Sequence, residues 1–246
     1  MMNKLLPGIC FIVSFFCCSY CLGQAASGDS TAQAMASSPA VGFFNAAIGQ
    51  QSRLYNGPEY NLYDPTIKGN AYFQDIYEFR PGEVVYDGIV YNNVPMMYDM
   101  NKDIVAVLLY NNFSRFALLN ERLQSFDLLN HHFVYITTDS LNTSSPIRTG
   151  FYDEVYKGNV QALVKWTKNI QTSSTATTIE VFFTQNKYYY LKKGNTYYSI
   201  GGQSGLLNVL KDKKKELQQY IKANKIKYKD NPDKAMALIA ARYDQL

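Results

Sequence analysis

The stretch EVVYDGIVYNNVPMMYDMNKDIVAVLL, residues 83–109, decides the fold of this chain. Two β-prone runs flank Asp87-Gly88, the dipeptide that most readily takes the positive φ values of a two-residue hairpin turn. A second reversal at residues 99–103 leads into 104–109, an unbroken apolar run with strand composition. Strands joined by tight reversals make a β-meander.

The same pattern continues outward. Residues 115–119, 122–128 and 132–137 predict short strands, separated by Asn120-Glu121 and Asn130-His131, and residues 139–146 predict a polar loop. Residues 151–157 and 160–168 flank Gly158-Asn159, a second hairpin signal. In the second arm Val160, Ala162, Val164 and Trp166 share one face, with Gln161, Lys165 and Thr167 on the other, the alternation of a half-buried strand. Residues 178–184, 188–192 and 196–200 complete the set. Strands at this even spacing predict a mainly β fold, an antiparallel meander arranged as a sandwich, clam or barrel, without saying which.

Gly201-Gly202 ends the β pattern and the period changes to that of helices. Ser204 is placed to cap a helix carrying Leu206, Leu207 and Leu210, and Asp212 to cap the next, with Leu217, Tyr220 and Ile221. Asn231-Pro232 is a cap-then-proline start, followed by Met236, Ile239, Ala240 and Tyr243 at i, i+3, i+4, i+7. Stripes this narrow are marginal alone, so the helices should dock on the sheet. The organisation is α+β overall: a β-rich domain over residues 41–203 and a C-terminal helical unit over 204–246.

Residues 1–23 read as a signal peptide. Lys4 supplies the positive start, residues 5–22 are apolar, and Gly23 with Cys21 two residues before it fits a peptidase site ahead of Gln24. All four cysteines, Cys10, Cys17, Cys18 and Cys21, lie inside this segment and would leave with it. The mature chain then has no thiol for catalysis, disulfides or metal, and no stable membrane span. Residues 24–40, QAASGDSTAQAMASSPA, have no apolar period and predict a disordered leader. A short amphipathic helix follows over residues 41–55, stopped by Asn56-Gly57-Pro58. Asp29-Ser30-Thr31 and Asp139-Ser140-Leu141 resemble a short O-glycosylation pattern.

The formal charge of +4 is uneven. From Gly205 to Leu246 there are ten Lys/Arg and five Asp/Glu, while residues 24–204 carry a net −2. A basic tail suits nucleic acid or anionic lipid. Export argues against nucleic acid, and a solvated helix face explains the same lysines.

LYNGPEY (54–60), GEVVYDGIVYNNVPMMYDMNKD (82–103), GFYDEVYKG (150–158) and the lysine-rich end, KKKELQQYIKANKIKYKDNPDKAMALIAARYDQL (213–246), stand in one order. Together they resemble a group of uncharacterised exported proteins of Bacteroidetes-type bacteria. The resemblance implies a periplasmic, envelope or secreted location and supplies no function.

Motifs for chemistry are sparse. Asp99-x-Asn101-x-Asp103 opens like a calcium loop, but Ile104 stands at the glycine position and Tyr110 at the bidentate-glutamate position. His131 and His132 are adjacent, so on a strand they point to opposite faces and do not share a metal. Gly202-Gln203-Ser204-Gly205 resembles a nucleophile elbow with Leu206 where the final glycine belongs. No phosphate loop or dinucleotide fingerprint is present, and nothing calls for a cofactor.

The chain is rich in aromatics, with 21 Tyr and 14 Phe. Seven of them fall in residues 55–79, broken by Pro58, Pro65 and Gly69, a spacing that forbids a long regular element. These rings either plug the end of the sheet or form a rim for a ligand, a glycan or a lipid. In the second case Tyr60, Tyr63 and Tyr72, with Tyr86 and Tyr91 of the central hairpin, are the binding candidates. Glu59, Asp64, Asp75, Glu78, Glu83, Asp87 and Glu154 lie among aromatics, as in glycan hydrolases that use a carboxylate pair. Two readings follow: a non-catalytic envelope protein binding a ligand or partner, and such a hydrolase. The protein recovered from an envelope fraction should begin at Gln24 by intact mass. Retained cysteines, or a lipid on one of them, would overturn the signal-peptide reading.

Overall fold

The computed structural model describes residues 53–109, 111–138 and 145–246. The signal peptide, the leader, residues 41–52 of the expected helix and both short glycosylation patterns lie outside the described residues. The end of that expected helix, Arg53–Tyr55, is a single 3-10 turn.

Ten strands form one antiparallel sheet: β1 (Arg80–Tyr86), β2 (Ile89–Asp99), β3 (Ile104–Leu108), β4 (Arg115–Ala117), β5 (Leu123–Leu128), β6 (His131–Ile136), β7 (Gly150–Lys157), β8 (Val160–Ser174), β9 (Ile179–Lys193) and β10 (Thr196–Ser199). Their order is β10-β9-β8-β7-β6-β5-β1-β2-β3-β4, two meanders joined where β5 pairs with β1. The sheet is open at β4 and β10, so the fold is neither a two-layer sandwich nor a closed barrel. Asp87 (φ 53°) and Gly88 (φ 75°) both take the left-handed region that the β1–β2 turn requires.

Residues 178–184 and 188–192, expected as two strands, are one. Gln185, Asn186 and Lys187 break nothing because β8 pairs with them residue for residue, Trp166 opposite Lys187. The Lys187 ammonium sits 3.6 Å from the Trp166 ring centre, so the polar residue contributes packing within the ladder.

The sheet curls around its core. Tyr98 of β2 reaches Phe126, Phe133 and Phe151 of β5, β6 and β7, with ring centres 5.2, 5.0 and 6.1 Å away. The turn after β2 meets β8: the Lys168 N–H donates to the Met100 carbonyl at 3.2 Å. Asp103 accepts from Lys165 Nζ at 2.6 Å. From Met96 to Asp99 every residue is buried, although the strand has two faces. Met96 and Tyr98 enter the main core, while Met97 lies under Tyr60 and Tyr72 on the outer face. Residues 58–72 therefore cover β2–β4 from outside, while Phe73 enters the main core beside Tyr98, Phe133 and Trp166.

Three helices follow: α1 (Gln203–Val209), α2 (Lys214–Ala223) and α3 (Pro232–Asp244). Leu206, Leu210, Leu217, Met236 and Ile239 are fully buried against Val160, Ala162 and Leu191 of β8 and β9. These strand residues share the face of Val164 and Trp166, so helices and curled strands cover one continuous surface. Lys215, Lys222 and Lys225 stay in water. No helix among the described residues is long and apolar enough to cross a membrane.

Of the three expected caps, one is found. Asn231 accepts from Lys234 N at 3.0 Å, with Pro232 in the first turn. Ser204 lies exposed inside α1, which starts after Gly202 without a side-chain cap. Asp212 turns instead to the sheet and the last helix, accepting from Lys193 Nζ and from the Tyr243 hydroxyl, each at 2.7 Å. A cation offers a carboxylate a stronger hydrogen bond than a neutral donor.

Lys193 first, then Tyr243, lower the Asp212 carboxyl from its ordinary 3.8 to about 2. A depressed carboxylate contributes stability that is complete above its unfolded value and lost as pH falls through its folded one. Asp212→Asn should lower the melting temperature at neutral pH, and the gap should close between about pH 4 and pH 2. Circular-dichroism melts across that window check this; a gap that ignores pH would place the effect elsewhere.

Candidate functional site

Residues 57–77 build the site, and each bend has a local cause. Gly57 passes so close to β4 that a Cβ there would stand 1.8 Å from the Ala117 carbonyl oxygen. The close approach lets Tyr60 N donate to Arg115 O and Ala117 N to Pro58 O, both at 2.9 Å, which covers the β4 edge. Asp64 turns the chain by accepting from Thr66 N at 2.8 Å and Thr66 Oγ1 at 2.7 Å. Lys68 then pairs with β9 through Val181 O and Phe183 N. At Gly69 (φ 79°) the chain doubles back to Asn70, whose Oδ1 accepts from Tyr72 N at 2.9 Å.

Two buried charges hold this path. Asp99 is fully buried. Its Oδ2 accepts from the hydroxyls of Tyr60 and Tyr63 at 2.8 and 3.0 Å, and its Oδ1 from the backbone N–H groups of Asn101 and Lys102 at 2.9 and 3.0 Å. Burial, then the Asp99 charge, pushes both tyrosine hydroxyls well above their usual range. They remain neutral donors. The Lys102 ammonium lies over both rings, 4.9 and 4.5 Å from their centres. Lys168, 3% exposed, donates to the carbonyls of Asn70 and Tyr72 at 2.9 Å and pairs with the Asp75 carboxylate. This cation fastens a bend in which Gln74 (φ 54°) and Asp75 (φ 59°) both sit in the left-handed region.

Between this segment and β9 lies a pocket of about 280 Å³. Its aromatic walls are Tyr63, Tyr72, Tyr77 and Phe183, with Asp64 and Asn70 as polar groups. Tyr63 meets Phe183 edge-on at 5.2 Å, and Tyr72 meets Tyr77 at 5.3 Å. Tyr77 is 56% exposed, an open ring beside buried ones.

Tyr60, Tyr63 and Tyr72, singled out from the sequence, do come together around Asp99. Tyr63 and Tyr72 line the pocket, whereas Tyr60 lies beneath it, its hydroxyl 3.2 Å from that of Tyr72. Tyr86 and Tyr91 belong to the main core on the other side of the sheet, 0% and 5% exposed, and their rings serve packing. Tyr77 and Phe183 were not among the binding candidates. The exposed Tyr77 was one aromatic among seven, and Phe183 comes from a strand over a hundred residues away, so no local signal ties them together.

Of the seven carboxylates, Asp64 alone lines this pocket. Asp75, Glu78 and Asp87 are in ion pairs with Lys168, Arg80 and Arg122. Asp99 and Asp103, the calcium-like pair, are engaged apart: Asp103 Oδ1 accepts from the Tyr98 hydroxyl and Oδ2 from Lys165, each at 2.6 Å. Among the described residues no cluster of three His, Cys, Asp or Glu is arranged to hold a metal ion. The histidines lie elsewhere and face apart. His131 Nδ1 is 2.6 Å from buried Asp153, which also accepts from the Trp166 indole at 3.1 Å. His132 turns to exposed Asp127.

Family models, curated proteins and solved structures give no match to the chain.

Removing the Asp99 carboxylate takes the acceptor from the N–H groups of Asn101 and Lys102, while the Tyr60 and Tyr63 hydroxyls keep only the Tyr72 hydroxyl at 3.2 Å and Asn101 Oδ1 at 3.0 Å. Each such loss costs about 1–3 kcal/mol, so Asp99→Ala should destabilise the protein by at least ~2 kcal/mol in urea unfolding. A loss below ~1 kcal/mol would mean that water replaces the carboxylate and that the site does not depend on it.

Proposed function

We propose that this chain is an exported envelope protein that binds a glycan, without chemical turnover, in the aromatic pocket between residues 63–77 and β9. The observation that carries the reading is the open Tyr77 ring at a pocket otherwise walled by packed aromatics. Aromatic faces suit the C–H faces of a sugar ring, and Asp64 and Asn70 offer polar groups to its hydroxyls. A volume of about 280 Å³ suits one ring of a longer chain, below the ~300–1,000 Å³ of sites that enclose a drug-sized ligand. Export is supported by residues 1–23 and by the resemblance of the chain to exported proteins.

In this reading Tyr63, Tyr77 and Phe183 contact the sugar, Tyr72 forms the floor, and Tyr60 supports them through Asp99. Hydrolysis by a carboxylate pair needs two carboxyls facing each other across the ligand, and only Asp64 reaches this pocket.

Glycan-array screening followed by calorimetry tests the proposal. Tyr77→Ala should weaken binding at least tenfold with little change in melting temperature, because that ring is exposed. Phe183→Ala should weaken it similarly. Unchanged affinity in both variants would remove the pocket from consideration, and glycan turnover lost in Asp64→Asn would favour the hydrolase.

A further inference from the structure

β8 and β9 are each fifteen residues long and pair in unbroken register from Val160 with Lys193 to Ser174 with Ile179. Half of this hairpin belongs to the sheet, with β7 paired to β8 up to Val164. At Lys168 the β2–β3 turn caps the edge: Lys168 N–H donates to Met100 O, and the Asn101 amide donates to Lys168 O at 2.8 Å. Beyond that point β8 continues for six residues, all exposed, with β9 on one side only.

The open side can be assigned residue by residue. In an antiparallel strand the N–H and C=O of one residue point to the same side, and successive residues alternate. Both Lys168 groups point away from β9, so those of Ile170, Thr172 and Ser174 do too. The Asn169 carbonyl, one residue out of phase, accepts from Thr184 Oγ1 on β9. The backbone groups of Ile170, Thr172 and Ser174 facing away from β9 have no partner among the described residues. Two other edges are covered, β4 by residues 58–60 and the outer side of β9 at Val181 and Phe183 by Lys68.

Free edges are normally protected by charge, proline, a bulge or shortness. None operates here. Residues 169–179, NIQTSSTATTI, contain no charge and no proline in a chain with 24 Lys/Arg and 20 Asp/Glu, and the ladder has no bulge. One face of this ribbon is also apolar. Ile170, Thr172 and Ser174 lie opposite Phe183, Val181 and Ile179, and Ile170 and Ile179 are 42% and 73% exposed.

We propose that this edge, residues 169–174, pairs antiparallel with the same edge of a second copy of the chain, with the two-fold axis at Thr172. Such pairing sets Thr172 against the partner's Thr172 and Ile170 against the partner's Ser174. The three residues with free backbone groups are symmetric about Thr172, so every free N–H meets a free C=O. An isologous contact brings a run against itself, and like charges directly opposite are destabilising, so an uncharged run is the kind that can serve. The two hairpins become one four-stranded ribbon whose apolar faces join. A contact of this length is smaller than the ~1,200–2,000 Å² of a stable interface, so the dimer forms in a concentration-dependent way. The inference does not rest on the glycan-binding reading.

Sedimentation velocity of the purified full protein over a concentration series tests it. The wild-type mass should rise from monomer to dimer and stop there. Thr172→Pro removes only an N–H that faces away from β9, and Thr172→Lys sets two like charges against each other on the axis. Both variants should stay monomeric with unchanged circular dichroism, while Thr177→Lys in the hairpin tip should dimerise as the wild type does. A wild-type protein that remains monomeric, association that continues past the dimer, or variants that dimerise normally would each overturn the proposal. If Thr172→Pro fails to fold, Thr172→Lys decides.

Discussion

Five residues, 99–103, clasp the structure together. They form the turn between β2 and β3, yet they find partners in the covering segment and in β8, both far along the chain. Met100 donates its N–H to Ala71 O and accepts from Lys168 N–H, Asn101 reaches Lys168 O, and Asp103 takes Lys165. Asp99 gathers two tyrosines of the covering segment. Without these bonds nothing described would hold the β2–β3 turn against β8, and the curl that encloses Tyr98, Phe126, Phe133 and Phe151 would lose its closure. The clasp works because its two carboxylates leave the turn in different directions, one outward to hydroxyls and one toward a lysine.

Tyrosine is abundant because the fold uses both of its ends. Tyr60, Tyr72, Tyr98 and Tyr152 are buried, and each hydroxyl has a partner: Asp99 or another tyrosine, Asp103, and the backbone of Arg148. Phenylalanine would fill the same volume but leave Asp99 and Asp103 short of donors. Buried carboxylates are tolerable when several donors converge on them. Here neutral tyrosines and backbone amides supply Asp99, and a lysine supplies Asp103. The pocket follows from this economy, since Tyr63 and Tyr72 are first structural residues and only then walls.

The candidate site was partly legible. The crowding of aromatics between Pro58 and Phe79 marked the segment, and Tyr60, Tyr63 and Tyr72 do meet. Tyr86 and Tyr91 share the composition of these residues, but alternation on β1 and β2 turns them into the main core. Phe183 and Lys168 carry no local signal, and Asp99 stands out only as the opening of a calcium-like pattern. Phe183 reads as one more strand aromatic, Lys168 as the polar end of a half-buried strand, and Asp99 as a turn residue.

Most strand starts, the Asp87-Gly88 turn, the alternation of Val160 to Trp166 and the Asn231-Pro232 helix start were determined by the sequence alone. Each depends on neighbours within a few residues, through period, φ preference or a missing N–H. Tertiary structure alone decided what long-range partners control. It set the pairing of β5 with β1 and left the sheet open. It joined two expected strands into β9, because a continuous partner strand overrides a polar triplet. It drew Asp212 away from a helix end, because Lys193 outcompetes a backbone donor. It also buried Asp99, whose four donors come from residues 60, 63, 101 and 102, a set that no spacing along the chain reveals.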